Sequence, residues 1–431
     1  MSNTIKFIDL FAGIGGMRLG LEQGCKALGV KSDCVFTSEI KSTAIQVYQN
    51  NFNEANIWGD ITEISTKEIP DFDILLAGFP CQPFSSAGTR QGFLDTRGTL
   101  FFEIERILTD KSPFGFLLEN VEGLVKHDDG RTLKTILNKL EQLGYKVTYR
   151  ILNTKDFGIP QDRKRVYIVG TNNEFISLDF IKKQKSILLD VLEKGHPTLQ
   201  TSFVKKLLAQ YPINQLYGKS IKDKRGGEDN IHSWDLELKG NVSLEQRELL
   251  NLLLKQRRRK NWSAKKGIKW MDGIPLSLDE IETFYQHDNL KQILDDLVDK
   301  GYLKYEHPKD IQKVVNKDGK NVEKREYRVD LPKGYNIVVG KLSFPINKIL
   351  NPHDIAPTLV ATDMQRLAVV DGEGLRYLTI KEGLRLFGFP EEYQINLSIN
   401  KAFDLLGNTV GVPVVKEIIE RIVIQKLLLL T

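Results

Sequence analysis

Five short apolar runs in the first 170 residues constrain this chain more than any other feature, because four of them end at chemically distinctive residues. The runs are Ile5–Leu10, Cys34–Ser38, Phe72–Phe79, Phe114–Leu118 and Val166–Gly170. Amphipathic stretches at Met17–Leu28, Lys41–Asn50, Leu100–Leu108 and Thr132–Leu143 lie between them. Strand, helix, strand at this spacing predicts a parallel α/β sheet with helices on both faces. In open α/β sheets, ligands sit beyond the carboxyl ends of the strands. The first run leads into Phe11-Ala12-Gly13-Ile14-Gly15-Gly16, the second into Glu39, the third into Pro80-Cys81-Gln82 and the fourth into Glu119-Asn120-Val121. Glycines, a carboxylate, a thiol and a second carboxylate are thereby predicted along one edge.

The remaining composition removes alternatives. With 431 residues, 41% hydrophobic and 27% charged, the chain has material for two or three globular domains and is not disordered throughout. Cys25, Cys34 and Cys81 are too few and too scattered for a disulfide scaffold and fit a reducing cytoplasm. The six His form no HExxH, and there is no CxxC, so no metal site is expected. No window approaches the roughly 18 apolar residues of a membrane span. The N-terminus reads as an immediate first strand, not a signal peptide. Beyond about residue 185 the alternation stops. Residues 241–270 hold nine Lys/Arg and two Glu, whereas residues 276–300 hold seven Asp/Glu and two Lys. The modest net charge of +5 therefore conceals a strongly basic segment beside an acidic one.

The turn Phe11–Gly16 joins a strand to a helix, where backbone N–H groups can approach a ligand. Its Gly13-x-Gly15-Gly16 spacing is not the dinucleotide GxGxxG, and Gly20 completes no such pattern. Glu39 stands where a carboxylate would grip a ribose diol, and Asp60 where one would reach an adenine amino group. Taken alone, this turn suits either a nicotinamide or a methyl-donor enzyme, or plain chain geometry. Cys81 lies between Pro80 and Pro83 and opens a polar stretch carrying Arg90 and Arg97, a setting that favours thiolate. Arg163 and Arg165 precede the fifth run two residues apart. In an extended segment such residues share a face, so both are expected at one site.

These pieces together resemble the DNA (cytosine-5)-methyltransferases. FIDLFAGIGG, GFPCQPFS, LENV, QDRKRVYIVG and GNTVGVP occur in that family's order, over residues 5–170 and about 355–415. The resemblance implies an α/β, Rossmann-like, S-adenosylmethionine-dependent sheet with a smaller target-recognition domain. It also implies Cys81 as nucleophile, Glu119 as proton donor to the base, Arg165 at the base carbonyl and Arg163 supporting the loop. Phe11, Ala12, Gly13, Gly15, Gly16, Glu39, Ile40, Asp60, Ile61, Pro80, Leu100, Asn408 and Val410 would hold the cofactor, with Ile40 standing where many members have Trp. Gln82, Ser85 and Arg97 would touch DNA. Within a DNA enzyme, the run Arg257, Arg258, Arg259 and Lys260 is expected on phosphates. The expected partition is a first catalytic part over 1–189, target recognition over 190–345, a hinge and return over 346–404, and a closing helix over 405–431.

Residues 244–330 also suggest a winged helix: three helices at Leu244–Lys255, Leu276–Tyr285 and Leu290–Lys300, then a charged hairpin. Asp295, Asp296 and Asp299 make the third helix a poor partner for phosphates. The expected protein is a monomeric cytoplasmic prokaryotic enzyme acting on double-stranded DNA. It would belong with a cognate restriction endonuclease, without direct binding to it. The competing readings are the tRNA-methylating branch of the superfamily, a dead scaffold that binds DNA, and a nicotinamide dehydrogenase.

Overall fold

The computed structural model describes residues 4–80, 100–180, 185–224, 226–227, 229–269, 273–315, 321–339 and 344–429. The chain divides into two compact units. The first comprises 1–194, 351–365 and 377–431, and the second 195–350 and 366–376. Residues 346–404, expected as one hinge and return, are thus shared between both units.

The first unit opens with β1 (Thr4–Leu10), α1 (Gly16–Ala27), β2 (Lys31–Ser38), α2 (Ser42–Phe52), β3 (Ile74–Gly78), α3 (Leu100–Lys111), β4 (Gly115–Val121), α4 (Arg131–Gln142), β5 (Lys146–Asn153) and β6 (Lys164–Thr171). The strands form one sheet in the order β2-β1-β3-β4-β6-β5. Alternation along each strand sends side chains to two cores, as a sheet covered on both faces requires. Ile8, Leu10, Leu75, Ala77, Phe116 and Leu118 pack with α3 and α4 residues on one face. Ile5, Phe7, Ile74, Leu76, Leu117 and Tyr167 pack on the other. In α4, Leu133, Ile136 and Leu140 are buried at helical spacing and seal the first core.

Two expectations are corrected. There is a sixth strand, β5, and the sheet is mixed: β6 runs antiparallel to both β4 and β5. β5 lies at the sheet edge with Tyr149, Arg150 and Ile151 exposed, so its sequence carries no continuous apolar run. The short link from β5 to β6 contains no crossover helix, and such a link suits antiparallel pairing. The reversal matters for function. It brings the start of β6 to the carboxyl end of β4, with Val121 opposite Arg165. A parallel β6 would have put both arginines at the far edge of the sheet.

The second unit contains α5 (Ser202–Gln210), β7 (Ser220–Ile221), β8 (Asn230–Ile231), α6 (Leu244–Gln256), α7 (Lys260–Lys265), α8 (Leu278–Glu282) and α9 (Leu290–Asp299). These are followed by β9 (Leu303–Glu306), β10 (Lys309–Val315), β11 (Asn321–Tyr327), β12 (Gly334–Ile337), β13 (Lys348–Ile349), β14 (Leu367–Asp371) and β15 (Gly374–Tyr377). β10 and β11 form an antiparallel hairpin, and β12 returns against β9. A bridge from Leu276 to Tyr335 completes a helical cluster edged by a small sheet and a hairpin; compared with the three helices expected over residues 244–330, α7 is an additional helix and the second expected helix shrinks to Leu278–Glu282. One core unites it, including Trp234, Leu250, Leu254, Trp262, Leu294, Leu297 and Ile337.

The first unit closes with α10 (Ile380–Arg385), α11 (Ile399–Gly407) and α12 (Val412–Leu428). α12 lies on α1 along a seam of glycines spaced by four. A Cβ on Gly16 would stand 2.6 Å from Thr409 Oγ1, one on Gly20 2.6 Å from Val415 Cβ, and one on Gly24 3.1 Å from Ile419 Cγ2. Gly20, which completes no dinucleotide motif, is therefore a packing residue. Gly20→Ala is expected to lower stability by about 1–3 kcal/mol through overpacking, although the same change in an unencumbered helix would raise it by about 1 kcal/mol. Urea unfolding monitored by circular dichroism checks the sign.

Candidate active site

The carboxyl ends of β1 to β4 and the chain after α11 enclose a cleft of about 1020 Å³ in the first unit. One wall is the turn after β1. Phe11 adopts φ +54°, a left-handed conformation that costs a non-glycine residue roughly 1–2 kcal/mol. Gly13, at φ +54°, has no atom within 4 Å of where a Cβ would stand, so its backbone faces open space. Its N–H donates to Glu39 Oε2 at 2.7 Å, while Ile40 and Lys41 N–H donate to Glu39 Oε1 at 2.9 and 2.8 Å. Three backbone donors thereby fix one carboxylate at the end of β2. Asp60 Oδ1 is held by the Thr62 N–H and hydroxyl. No strand precedes it; Trp58 only bridges Ser38.

Beneath the turn, the buried carboxyl of Asp9 also lines the cleft. Burial lifts its pKa to about 8, against the lowering effects of the Tyr48 hydroxyl, 3.0 Å away, and of Arg18.

The opposite end is built on the β3–β4 pairing, which sets Gly78 beside Glu119. Asn120, fully buried, donates from Nδ2 to the Phe79 carbonyl at 3.1 Å and pins the strand just before Pro80. Arg165 Nε stands 3.1 Å from Glu119 Oε1. Burial raises the Glu119 pKa, and Arg165 and then Arg163 oppose the rise. The carboxyl is thus inclined to keep a proton above the ordinary carboxylate range.

Arg163 is 2% exposed and does a different job. It donates to the carbonyls of Leu359 at 3.0 Å, Gly407 at 3.2 Å and Thr409 at 2.6 Å. It thereby ties the segment carrying Asn408 to the start of β6.

Phe11, Ala12, Gly13, Gly16, Glu39, Ile40, Asp60, Ile61, Pro80, Leu100, Glu119, Arg163, Arg165, Asn408 and Val410 all line this one cleft. Gly15 does not: its missing Cβ leaves room for the Phe52 ring, which would lie 2.2 Å away, so it is a packing residue. Cys81, Gln82, Ser85 and Arg97 lie outside the described residues. Sequence reading missed Asp9, Met17, Glu103 and Thr409, which also line the cleft. A charged residue inside the apolar run of β1 was the signal for Asp9, and Thr409 lies within the GNTVGVP motif; nothing marked Met17 and Glu103. Among the described residues no His, Cys, Asp or Glu cluster is arranged to hold a metal, and no helix is long and apolar enough to cross a membrane.

In the second unit one expectation fails. Arg257 is 1% exposed; it donates to Asn336 Oδ1 at 2.7 Å, and Gly273 packs against its guanidinium. A side chain so enclosed holds the turn after α6 and does not reach a phosphate. Arg258 is half-buried, and Arg259 and Lys260 are exposed.

The family model for C-5 cytosine-specific DNA methylases matches residues 5–424. The chain is 56% identical over 425 residues to the Type II methyltransferase M.NlaIV of Neisseria lactamica, covering 97% of this chain and 98% of that one. It shows the same identity and coverage with M.NgoBV of Neisseria gonorrhoeae. Among solved structures, the Entamoeba histolytica methyltransferase EhMeth superposes with a TM-score of 0.55 at 16% identity, covering 98% and 99% of the two chains. The S. pombe Dnmt2 methyltransferase superposes at 0.51 and 18% identity, covering 98% and 99%. These two likenesses concern the fold.

The two arginines are expected to separate in a stability measurement. Arg163→Gln strands three buried carbonyls and should cost about 2–4 kcal/mol in urea unfolding. Arg165→Gln, whose partner Glu119 can take up a proton, should cost less than half of that.

Proposed function

Because the chain belongs to the C-5 cytosine-specific DNA methylases and is a DNA (cytosine-5)-methyltransferase, we propose that it methylates a cytosine extruded from a short duplex site, through a covalent bond from Cys81. We propose further that it is the cytoplasmic modification enzyme of a bacterial restriction-modification system, as the Type II names of its relatives suggest. The observation that carries the reading is the single cleft joining the glycine turn and Glu39 to Glu119, Arg165 and Pro80, the residue before Cys81.

The cleft suits S-adenosylmethionine. It is large enough for a nucleoside beside a base, since small-molecule sites span roughly 300–1,000 Å³. Gly13 leaves its floor open where a side chain would fill it. Glu39, held by three N–H donors, keeps lone pairs for a ribose diol. Asp60, Ile40, Asn408 and Val410 line the same cleft and would enclose the adenosine. When bound, S-adenosylmethionine supplies an electrophilic methyl group.

The chain's own residues supply the rest. Cytosine carbon 5 is a poor nucleophile. The Cys81 thiolate adds to carbon 6, forming the S–C6 bond and opening the C5=C6 double bond. Glu119 delivers its proton to N3, so the ring gains a nucleophilic carbon 5 without full negative charge. Arg165, beside Glu119, orients the carboxyl and reaches the base carbonyl. Once carbon 5 carries the methyl group, its proton leaves to solvent, the S–C6 bond breaks, the C5=C6 bond returns and N3 gives its proton back to Glu119. Extruding the base from the duplex costs a few kcal/mol, which the DNA-contacting residues must offset.

The test is transfer from labelled S-adenosylmethionine to unmethylated duplex DNA, to tRNA and to no acceptor. Duplex DNA alone should be labelled, and Cys81→Ser should abolish labelling. Label in tRNA alone, or an active Cys81→Ser enzyme, would overturn the proposal. Glu119→Gln should lower kcat by about 10²–10⁴-fold. Because burial raises the Glu119 pKa, its acid form persists above the usual carboxylate range and is lost as pH rises. The kcat profile should therefore fall on an alkaline limb that Glu119→Gln removes.

A further inference from the structure

We infer that the exposed cations from the end of α6 through α7 to Lys269 form the platform by which the second unit docks on the phosphate backbone of duplex DNA, and that α9 takes no part. This rests on the proposed action on duplex DNA. Residues 254–269 contain eight Lys or Arg and no Asp or Glu. Two of them are internal fastenings. Arg257 is buried against Asn336, and Lys266 pairs with Glu280 at 2.7 Å and donates to the Pro275 carbonyl at 2.8 Å. Lys255, Arg259, Lys260, Lys265 and Lys269 are exposed, and none makes an ion pair among the described residues.

Elsewhere in the same unit, several cations have carboxylate partners: Lys291 with Asp295, Lys300 with Asp296, Lys304 with Glu306, Lys324 with Glu326 and Arg328 with Asp330. Five like charges left unneutralised on one stretch repel one another, a cost that counter-charge from outside would relieve. Phosphates spaced along a duplex are such a counter-charge, and neutralising them releases condensed counterions.

The platform is also stiff, as a docking surface must be to hold register. α6 buries Leu249, Leu250, Leu253 and Leu254. Trp262 anchors α7 in the core, with the Lys265 ammonium 5.1 Å from its ring centre. The Gly226 loop lies against Leu254 and Lys255.

α9 has the opposite character. In a helix-turn-helix arrangement the recognition helix enters the major groove, yet α9, the last helix before the hairpin, carries one Lys and three Asp. Asp295 is bound by Lys291 at 2.6 Å and by the Tyr335 hydroxyl at 2.7 Å. Asp296 is bound by Lys300 at 2.6 Å and by the Gln246 amide. These two carboxylates serve the unit itself.

The experiment is binding of the full chain to a labelled mixed-sequence unmethylated duplex, by fluorescence anisotropy over a salt series. The variants are Arg259→Gln/Lys260→Gln/Lys265→Gln/Lys269→Gln together and Lys291→Gln on α9. The fourfold variant should flatten the slope of log K against log salt by about 2–3, at about 0.9 per lost phosphate contact. Its affinity near 0.1 M salt should fall at least tenfold. Its S-adenosylmethionine binding by calorimetry and its unfolding midpoint should match the parent, and Lys291→Gln should keep the parental slope. A fourfold variant with the parental slope overturns the platform while leaving the enzymatic reading intact. So does a flatter slope in Lys291→Gln. A parent chain that neither binds nor methylates duplex DNA overturns the enzymatic reading and the platform with it.

Discussion

The candidate site depends on the antiparallel pairing of β4 with β6. The first four strands deliver a glycine turn, Glu39, Pro80 and Glu119 to one edge simply by running parallel. A cation for that edge cannot come from the start of a parallel strand, because parallel strands begin at the other side of the sheet. Reversal of β6 solves this geometrically. Val121 pairs with Arg165, so the guanidinium arrives beside Glu119 at 3.1 Å. The electrostatic outcome is a balance. Burial raises the carboxyl's pKa and the neighbouring cations lower it, with burial the larger effect. A carboxyl that can donate a proton, held beside a permanent cation, follows from the strand order and needs no unusual residue.

The second constraint is the close approach of α12 to α1. Gly16, Gly20 and Gly24 lie at i, i+4 and i+8, on one helical face. Removing three side chains there lets Thr409, Val415 and Ile419 approach within contact of the α1 backbone. Chain segments nearly 400 residues apart then share the wall of one cleft. Arg163 secures the arrangement from the other side by holding the carbonyls of Gly407 and Thr409. The Tyr393 hydroxyl adds a further tie to the Ile14 carbonyl. The glycine turn therefore has its shape set from behind, by packing, and from the side, by hydrogen bonds.

Most of the strands and helices of the first 170 residues were legible from periodicity, because strands buried on both faces read as continuous apolar runs. β5 was not, since an edge strand mixes exposed polar and apolar residues without such a run. Strand direction was not legible either, because it depends on whether a connection crosses over, and loop residues carry no such mark. In the cleft, Glu39, Glu119 and Asn408 were legible because each sits at an element's end in a distinctive motif, whereas Asp60 follows no strand. The division of labour between Arg163 and Arg165 came only with the family resemblance and was hidden in the residues themselves. Both are arginines two residues apart, yet one meets three carbonyls from a distant segment and the other a carboxylate. The role of Gly15 was hidden for the same reason: the Phe52 ring that excludes a Cβ there comes from another helix.

The basic run of the second unit shows the same limit in a sharper form. Sequence gives Arg257, Arg258 and Arg259 identical chemistry and adjacent places. At the end of a helix, successive residues point about 100° apart, so a run of three cannot share one environment. Arg257 faces inward, where its Nη1 donates to Asn336 Oδ1 and Gly273 packs against its plane. Arg259 faces water. An acceptor, Asn336, and close packing hold the buried guanidinium, and that fit fixes the turn between α6 and α7. The buried arginine thereby determines where its exposed neighbours point. Charge counted along a sequence measures how much cation is present; the core beneath it decides how much of that charge a partner can meet.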